Sequence, residues 1–318
     1  MGIFRPYKYK PKPDFPRDTP VKHGFFLFWE IFFRKFWRLV TVNIYYFIIT
    51  FPMLVVFHLS VNQQFLIFLQ SSGLIELYSE AATIDIFPGV GLISILATYI
   101  PRFIWVPLLV LSVILYGPAT MGATYIYRNF TREEHAWTSD LFSRGVKNFR
   151  QGLFFGILDI VVICSLSIGI LGGVSGGSGA IPYIAIILRT LSIFALVYYL
   201  FMRPYMYIMA VTFELSVFAI IKNAMIFVIA GFFRNIWAAI VNLIAFLICF
   251  MSIPLLSLIT IPLFFYSFTG FASVFICYPI IKKYLIIPAM ELEEKKKAGN
   301  SADTNKDENT DTDVDVNQ

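Results

Sequence analysis

The chain has 318 residues, of which 58% are hydrophobic, 18% aromatic and only 14% charged, with a mean hydropathy of +0.73. These proportions exclude an ordinary soluble domain, and several apolar runs exceed the roughly 18 residues that mark a membrane span. The net charge of +5 combines a tail of −5, nine acids against four lysines over residues 291 to 318, with a remainder of +10. Because that remainder flanks apolar spans, it fits the anionic inner leaflet of a bilayer and points away from nucleic acid.

Residues 1–22 carry Arg5, Lys8, Lys10, Lys12, Arg17 and Lys22 among five prolines, a composition that predicts a disordered basic arm. Residues 24–37, GFFLFWEIFFRKFW, predict an interfacial segment whose rings sit at headgroup level; the alternative is an earlier start to the first span. No small-residue cleavage site follows the first apolar run, so that span is expected to serve as its own insertion signal. Six spans are expected at about 39–59, 103–127, 152–172, 183–209, 237–258 and 262–281. Between the first two, 60–102 reads as an external loop. Its apolar part, 86–100, either lies on the surface or re-enters the membrane. The glycines of GGVSGGSGAIP turn the chain between spans three and four. Residues 210–236 predict a short helix at the inner surface, Pro254 to Pro262 a turn, and KKY at 282–284 the end of the membrane region. The transmembrane domain is thus 23–288, followed by an acidic tail, 289–318.

Of 25 lysines and arginines, 22 fall in segments that one orientation places inside, which predicts that both termini are cytoplasmic. FFRKFWRLVTVN at 32–43 and FFRNIWAAIVN at 232–242 echo each other, and VKNFRQG more faintly, so three helical hairpins of one kind are an open possibility.

Polar groups within spans are costly and mark candidate sites. At about 1.5 Å per residue, Asn43, Thr120, Asp159, Arg203 and Asn242 all fall roughly 7 to 12 Å below the inner face. This predicts one intramembrane polar layer holding an Asp159–Arg203 ion pair, since an unpaired charge there is expensive. Cys164, Cys249 and Cys277 sit in apolar runs without CxxC spacing, and His23, His58 and His135 are far apart, so neither a metal nor a cofactor is expected.

The segment between spans two and three is the densest in local signals. Gly117-Pro118 predicts a kink, and Ala119 with Ala123 a small-residue packing face. Thr131 to Glu134 matches a capping box that predicts a helix start, and Ser139-Asp140 offers a second N-cap. Leu141, Phe142, Val146 and Phe149 would then lie against bilayer or bundle. The charged residues Arg128, Arg132, Glu134, Arg144, Lys147 and Arg150 form a candidate docking loop.

In YGPATMGATYIYRNFTREEHAWTSDLFSRGVKNFRQG at 116–152, supported by FFRKFWRLVTVNIYYFIITFP at 32–52, the chain resembles the YesL family of bacterial membrane proteins. The resemblance covers most of 25–285. It implies a multi-spanning protein of the bacterial plasma membrane associated with carbohydrate uptake, and it implies no catalytic residues. The expectation is therefore an all-α integral membrane bundle. Its first functional reading is a non-enzymatic accessory component, with a carbohydrate transporter subunit as partner; the alternative is a small-molecule or ion transporter using the polar layer. The two separate on whether a cavity reaches Asp159 and Arg203.

Overall fold

A computed structural model describes residues 24–71, 101–171, 181–250 and 254–291. The basic arm, the 86–100 segment, most of the glycine linker and the tail beyond 291 lie outside the described residues.

Among the described residues the chain is mostly helical and contains no strand. Six helices are long and apolar enough to cross a membrane: Phe36–His58, Phe103–Thr131, Phe149–Ile170, Tyr183–Thr212, Phe232–Phe250 and Leu256–Glu291. The protein is a multi-pass α-helical membrane bundle. Its elements in order are α1 (Gly24–Arg34), α2 (Phe36–Ser71), α3 (Arg102–Thr131), α4 (Asp140–Lys147), α5 (Phe149–Leu171), α6 (Ile181–Thr212), α7 (Val217–Ala230), α8 (Phe232–Phe250), α9 (Pro254–Thr260) and α10 (Tyr266–Ile281). Two π-helical turns, Ile261–Phe265 and Lys282–Ile286, flank α10.

The organising element is α3, which packs against α1, α2, α4, α5, α6 and α10. Its second half explains why. From Gly117 to Phe130 every residue except Tyr125 is buried, and small side chains let neighbouring backbones approach closely. A Cβ on Gly117 would run into the carbonyl of Gly152 on α5, and one on Gly122 into the backbone of Leu141 on α4. The helix runs through Pro107 and Pro118 without ending. Pro118 is itself a packing surface, against Gly145 and Gly152. The close approach thus uses glycine, while Ala119 and Ala123 are simply buried.

Four expectations need correction. Thr131 does not open a helix: it ends α3, its hydroxyl donating to the Tyr127 carbonyl at 2.9 Å. Glu133 adopts φ 57°, with Glu133 N donating to Phe130 O and Glu134 N to Asn129 O. That is a Schellman termination with glutamate in the left-handed position that glycine usually fills. Local capping lost because the helix could continue one turn further and still close. Secondly, Pro254 to Pro262 is helix and π turn, not a turn between spans, so the final span begins near Leu256. Thirdly, the helix does not stop at Lys282 but carries on through a π turn to Glu291. Fourthly, 24–37 is not a continuous surface segment. In α1, Ile31 and Phe32 are buried, Phe28 stacks on Phe271 of α10 at 5.3 Å, and Phe25, Phe26 and Phe33 stay exposed. Between α1 and α2, Lys35 lies over the Phe130 ring; burial first, then Arg38 and Arg34, hold its pKa below the usual lysine value.

Candidate functional site

Asp159 on α5 is fully buried, and it is surrounded by side chains from one face of α6. Tyr199, Arg203 and Tyr207 recur every four residues, so a helix stacks them on the same side. The Arg203 Nε donates to Asp159 Oδ2 at 2.7 Å, Tyr207 OH to the same oxygen at 2.8 Å, and Tyr199 OH to Oδ1 at 2.6 Å. From α3, Tyr116 adds a longer bond to Oδ2 at 3.4 Å while accepting from Arg203 Nη2 at 2.7 Å. The guanidinium also lies over the Tyr207 ring, 5.2 Å from its centroid. Three of these donors converge on Oδ2 and one on Oδ1, so both carboxylate oxygens are hydrogen-bonded. Those bonds and the paired charge are what make a buried carboxylate tolerable at membrane depth.

The two partners differ in access. The Asp159 side chain is 0% exposed and that of Arg203 29%. Arg203 lines a cavity of about 760 Å3. The cavity is lined by α3, α6, α8, the Ile261–Phe265 turn and α10, with Tyr46 contributed by α2. On its α3 wall, Thr120 donates to the Tyr116 carbonyl at 2.8 Å and therefore accepts from Tyr46 OH at 2.7 Å. Among its lining residues Arg203 alone is charged; the rest of the wall is mainly aliphatic and aromatic. Beneath, α7 closes the space: Tyr205 OH donates to Asn235 Oδ1 at 2.8 Å and Asn235 Nδ2 to the Val228 carbonyl at 3.0 Å.

The five residues expected in one layer divide. Asp159, Arg203 and, through Tyr116, Thr120 belong to one network. Asn242 sits across the cavity, bonded to Ser273 at 2.8 Å. Asn43 belongs to neither. It is fully buried against the first π turn, where Nδ2 donates to the Ile261 carbonyl at 2.9 Å and to that of Pro262, and Oδ1 accepts from Ser267 N at 2.8 Å. A π turn misaligns backbone partners, and Asn43 satisfies the groups it leaves over. The three tyrosines bonded to the pair were not singled out from sequence, although the spacing of Tyr199 and Tyr207 about Arg203 was a readable signal.

The charged loop is likewise not one surface. Arg128 is buried and donates to the Val211 carbonyl at 2.8 Å, tying the end of α3 to the end of α6. It is unavailable for docking, which corrects its place in the docking set. Arg132 pairs with Glu134 at 2.8 Å, and Arg144 lies over the Tyr125 ring at 4.5 Å. Lys147 and Arg150 are exposed. The apolar side of α4 also splits: Leu141 points inward, whereas Phe142 and Val146 are exposed.

Comparison of the chain with protein-family models, curated proteins and solved structures returns no match. The functional reading therefore rests on this geometry.

Proposed function

We propose that the protein binds a small molecule within the membrane, as a transporter does. The observation that carries this reading is the cavity of about 760 Å3 that reaches the guanidinium of a buried ion pair. Its size lies in the range of drug-sized ligand sites, which combine an apolar wall with a few placed polar groups. Arg203 is also held by Asp159 and Tyr116, so the part of it that is exposed is preorganised. No chemical step is invoked. The test is thermal unfolding of the full chain in detergent against hexoses, disaccharides, short carboxylates and fatty acids. Stabilisation by one class is expected, and it should vanish in Ala239→Trp, which fills the cavity. If no class stabilises the protein, the reading fails.

A second reading has its own support. Trp137, Phe142 and Val146 leave apolar surface exposed beside Lys147 and Arg150, a surface suited to a partner protein or to anionic lipid. Together with the resemblance to the YesL family, this supports an accessory role in carbohydrate uptake at a bacterial plasma membrane. Recovery of a stoichiometric permease subunit from native membranes is the result expected of that role, and its absence counts against it.

A further inference from the structure

We propose that the occupant of the cavity is a single-chain amphiphile with an anionic head, taken up sideways from the bilayer between α6 and α8. This rests on the small-molecule reading above and names its ligand class.

The route follows from packing. Both α6 and α8 line the cavity, and each packs on α10, but they do not pack appreciably on one another. Val197 and Leu200 of α6 face Ile240 and Leu243 of α8 across this gap. All four line the cavity and are exposed, Leu243 to 57%. In a membrane such side chains meet acyl chains, so the mouth opens onto lipid. At the end where α7 lies, the Tyr205–Asn235–Val228 bonds close the floor.

The chemistry follows from the wall. No acidic side chain lines the cavity, and its single charged group is Arg203, whose side chain is 29% exposed. Asp159 cannot be reached, being fully enclosed by its donors. Thr124 is also on the wall and offers a hydroxyl on the α3 side. A carboxylate or phosphate complements that end, because a guanidinium matches such groups geometrically. The remaining wall is mainly apolar, with Leu200, Leu243 and Phe246 along it beside the Asn242–Ser273 pair, and complements a hydrocarbon chain. A freely soluble anion would leave most of this wall wet, and a neutral lipid would leave the exposed part of the guanidinium facing hydrocarbon.

The full chain in phosphatidylcholine nanodiscs, photolabelled with diazirine palmitic acid or the matching alcohol, tests this. The acid should label α6 and α8 at positions such as Leu200 and Leu243, and unlabelled oleate should compete. The double variant Asp159→Asn/Arg203→Gln, which keeps the site neutral and hydrogen-bonded, should weaken acid labelling about tenfold, the effect of losing one charge-assisted bond. Leu243→Trp, at the mouth and away from the pair, should block it with the network intact. The proposal is overturned if acid and alcohol label the cavity equally, if label falls only on outward positions such as Ile244 and Leu247, or if inorganic phosphate competes as well as oleate. A cavity that takes a soluble compound in the thermal assay but never the acid sinks this inference alone. Silence in both assays sinks the small-molecule reading too.

Discussion

Arg203 Nε and Asp159 Oδ2 lie 2.7 Å apart, joining α5 to α6, and the two side chains are neutralised by each other far more than by solvent. Breaking a buried pair by removing one partner is expected to cost about 3 to 5 kcal/mol, because the other charge is left stranded. Asp159→Leu should therefore lower the unfolding temperature sharply. The double variant Asp159→Leu/Arg203→Met should recover more than half of that loss. A double variant no better than the single would show that the tyrosine bonds, and not the charge pairing, hold this site together.

The pair was readable before any fold was known, because an acid and a base at matched depth on sequential antiparallel spans have few other ways to be satisfied. The network around it was readable in principle from tyrosines four residues either side of Arg203. The role of Asn43 was not. Its partners lie more than 200 residues away on a π turn, a backbone irregularity that no local pattern announces. Thr131 to Glu134 shows the opposite failure, since a correct local motif was present but α3 reached its first residue and terminated across the rest. Likewise, the prolines at 254 and 262 read as a turn, although Pro254 opens α9 and Pro262 is carried inside a π turn.

Asn43 makes a prediction of its own. Asn43→Leu removes three hydrogen bonds from the Ile261–Ser267 backbone and leaves buried polar groups unmet, each at a cost of about 1 to 3 kcal/mol. Hydrogen exchange at the Ser267 amide should accelerate strongly, while amides of α5 stay protected. Uniform acceleration across the bundle would mean that Asn43 supports the whole fold and not the π turn.

Close packing around α3 predicts asymmetric tolerance of glycine. Gly117→Ala and Gly122→Ala place a methyl into opposing backbone, which cannot yield as a side chain can, and should each cost about 1 to 3 kcal/mol. Gly24→Ala, with open space around it, should be neutral. Thermal unfolding of the three variants decides, and an unchanged Gly117→Ala would deny the close approach of α3 to α5.

Glu133 holds a left-handed backbone that costs a non-glycine residue about 1 kcal/mol, and its carboxylate bonds Arg34 at 2.8 Å on a largely exposed surface. Exposed pairs contribute about 0 to 1 kcal/mol, so the strain outweighs the bond. Glu133→Gly should raise stability slightly, and Glu133→Ala, which keeps the strain and loses the bond, should lower it. If both variants lose stability equally, the Arg34 contact governs the turn.

Six spans place Lys147 and Glu291 at the same face of the membrane, an arrangement the structure supports through Arg128, which ties the ends of α3 and α6 together, and through the Tyr284 ring, 6.4 Å from that of Phe227 on α7. The bias of 22 in 25 lysines and arginines predicts that this face is the cytoplasmic one. In a background with Cys164, Cys249 and Cys277 replaced by alanine, Lys147→Cys and Glu291→Cys should resist a membrane-impermeant maleimide in intact cells. Both should react once the membrane is opened. Labelling of one alone in intact cells would break the even number of crossings, and labelling of both would invert the orientation while leaving the bundle as described.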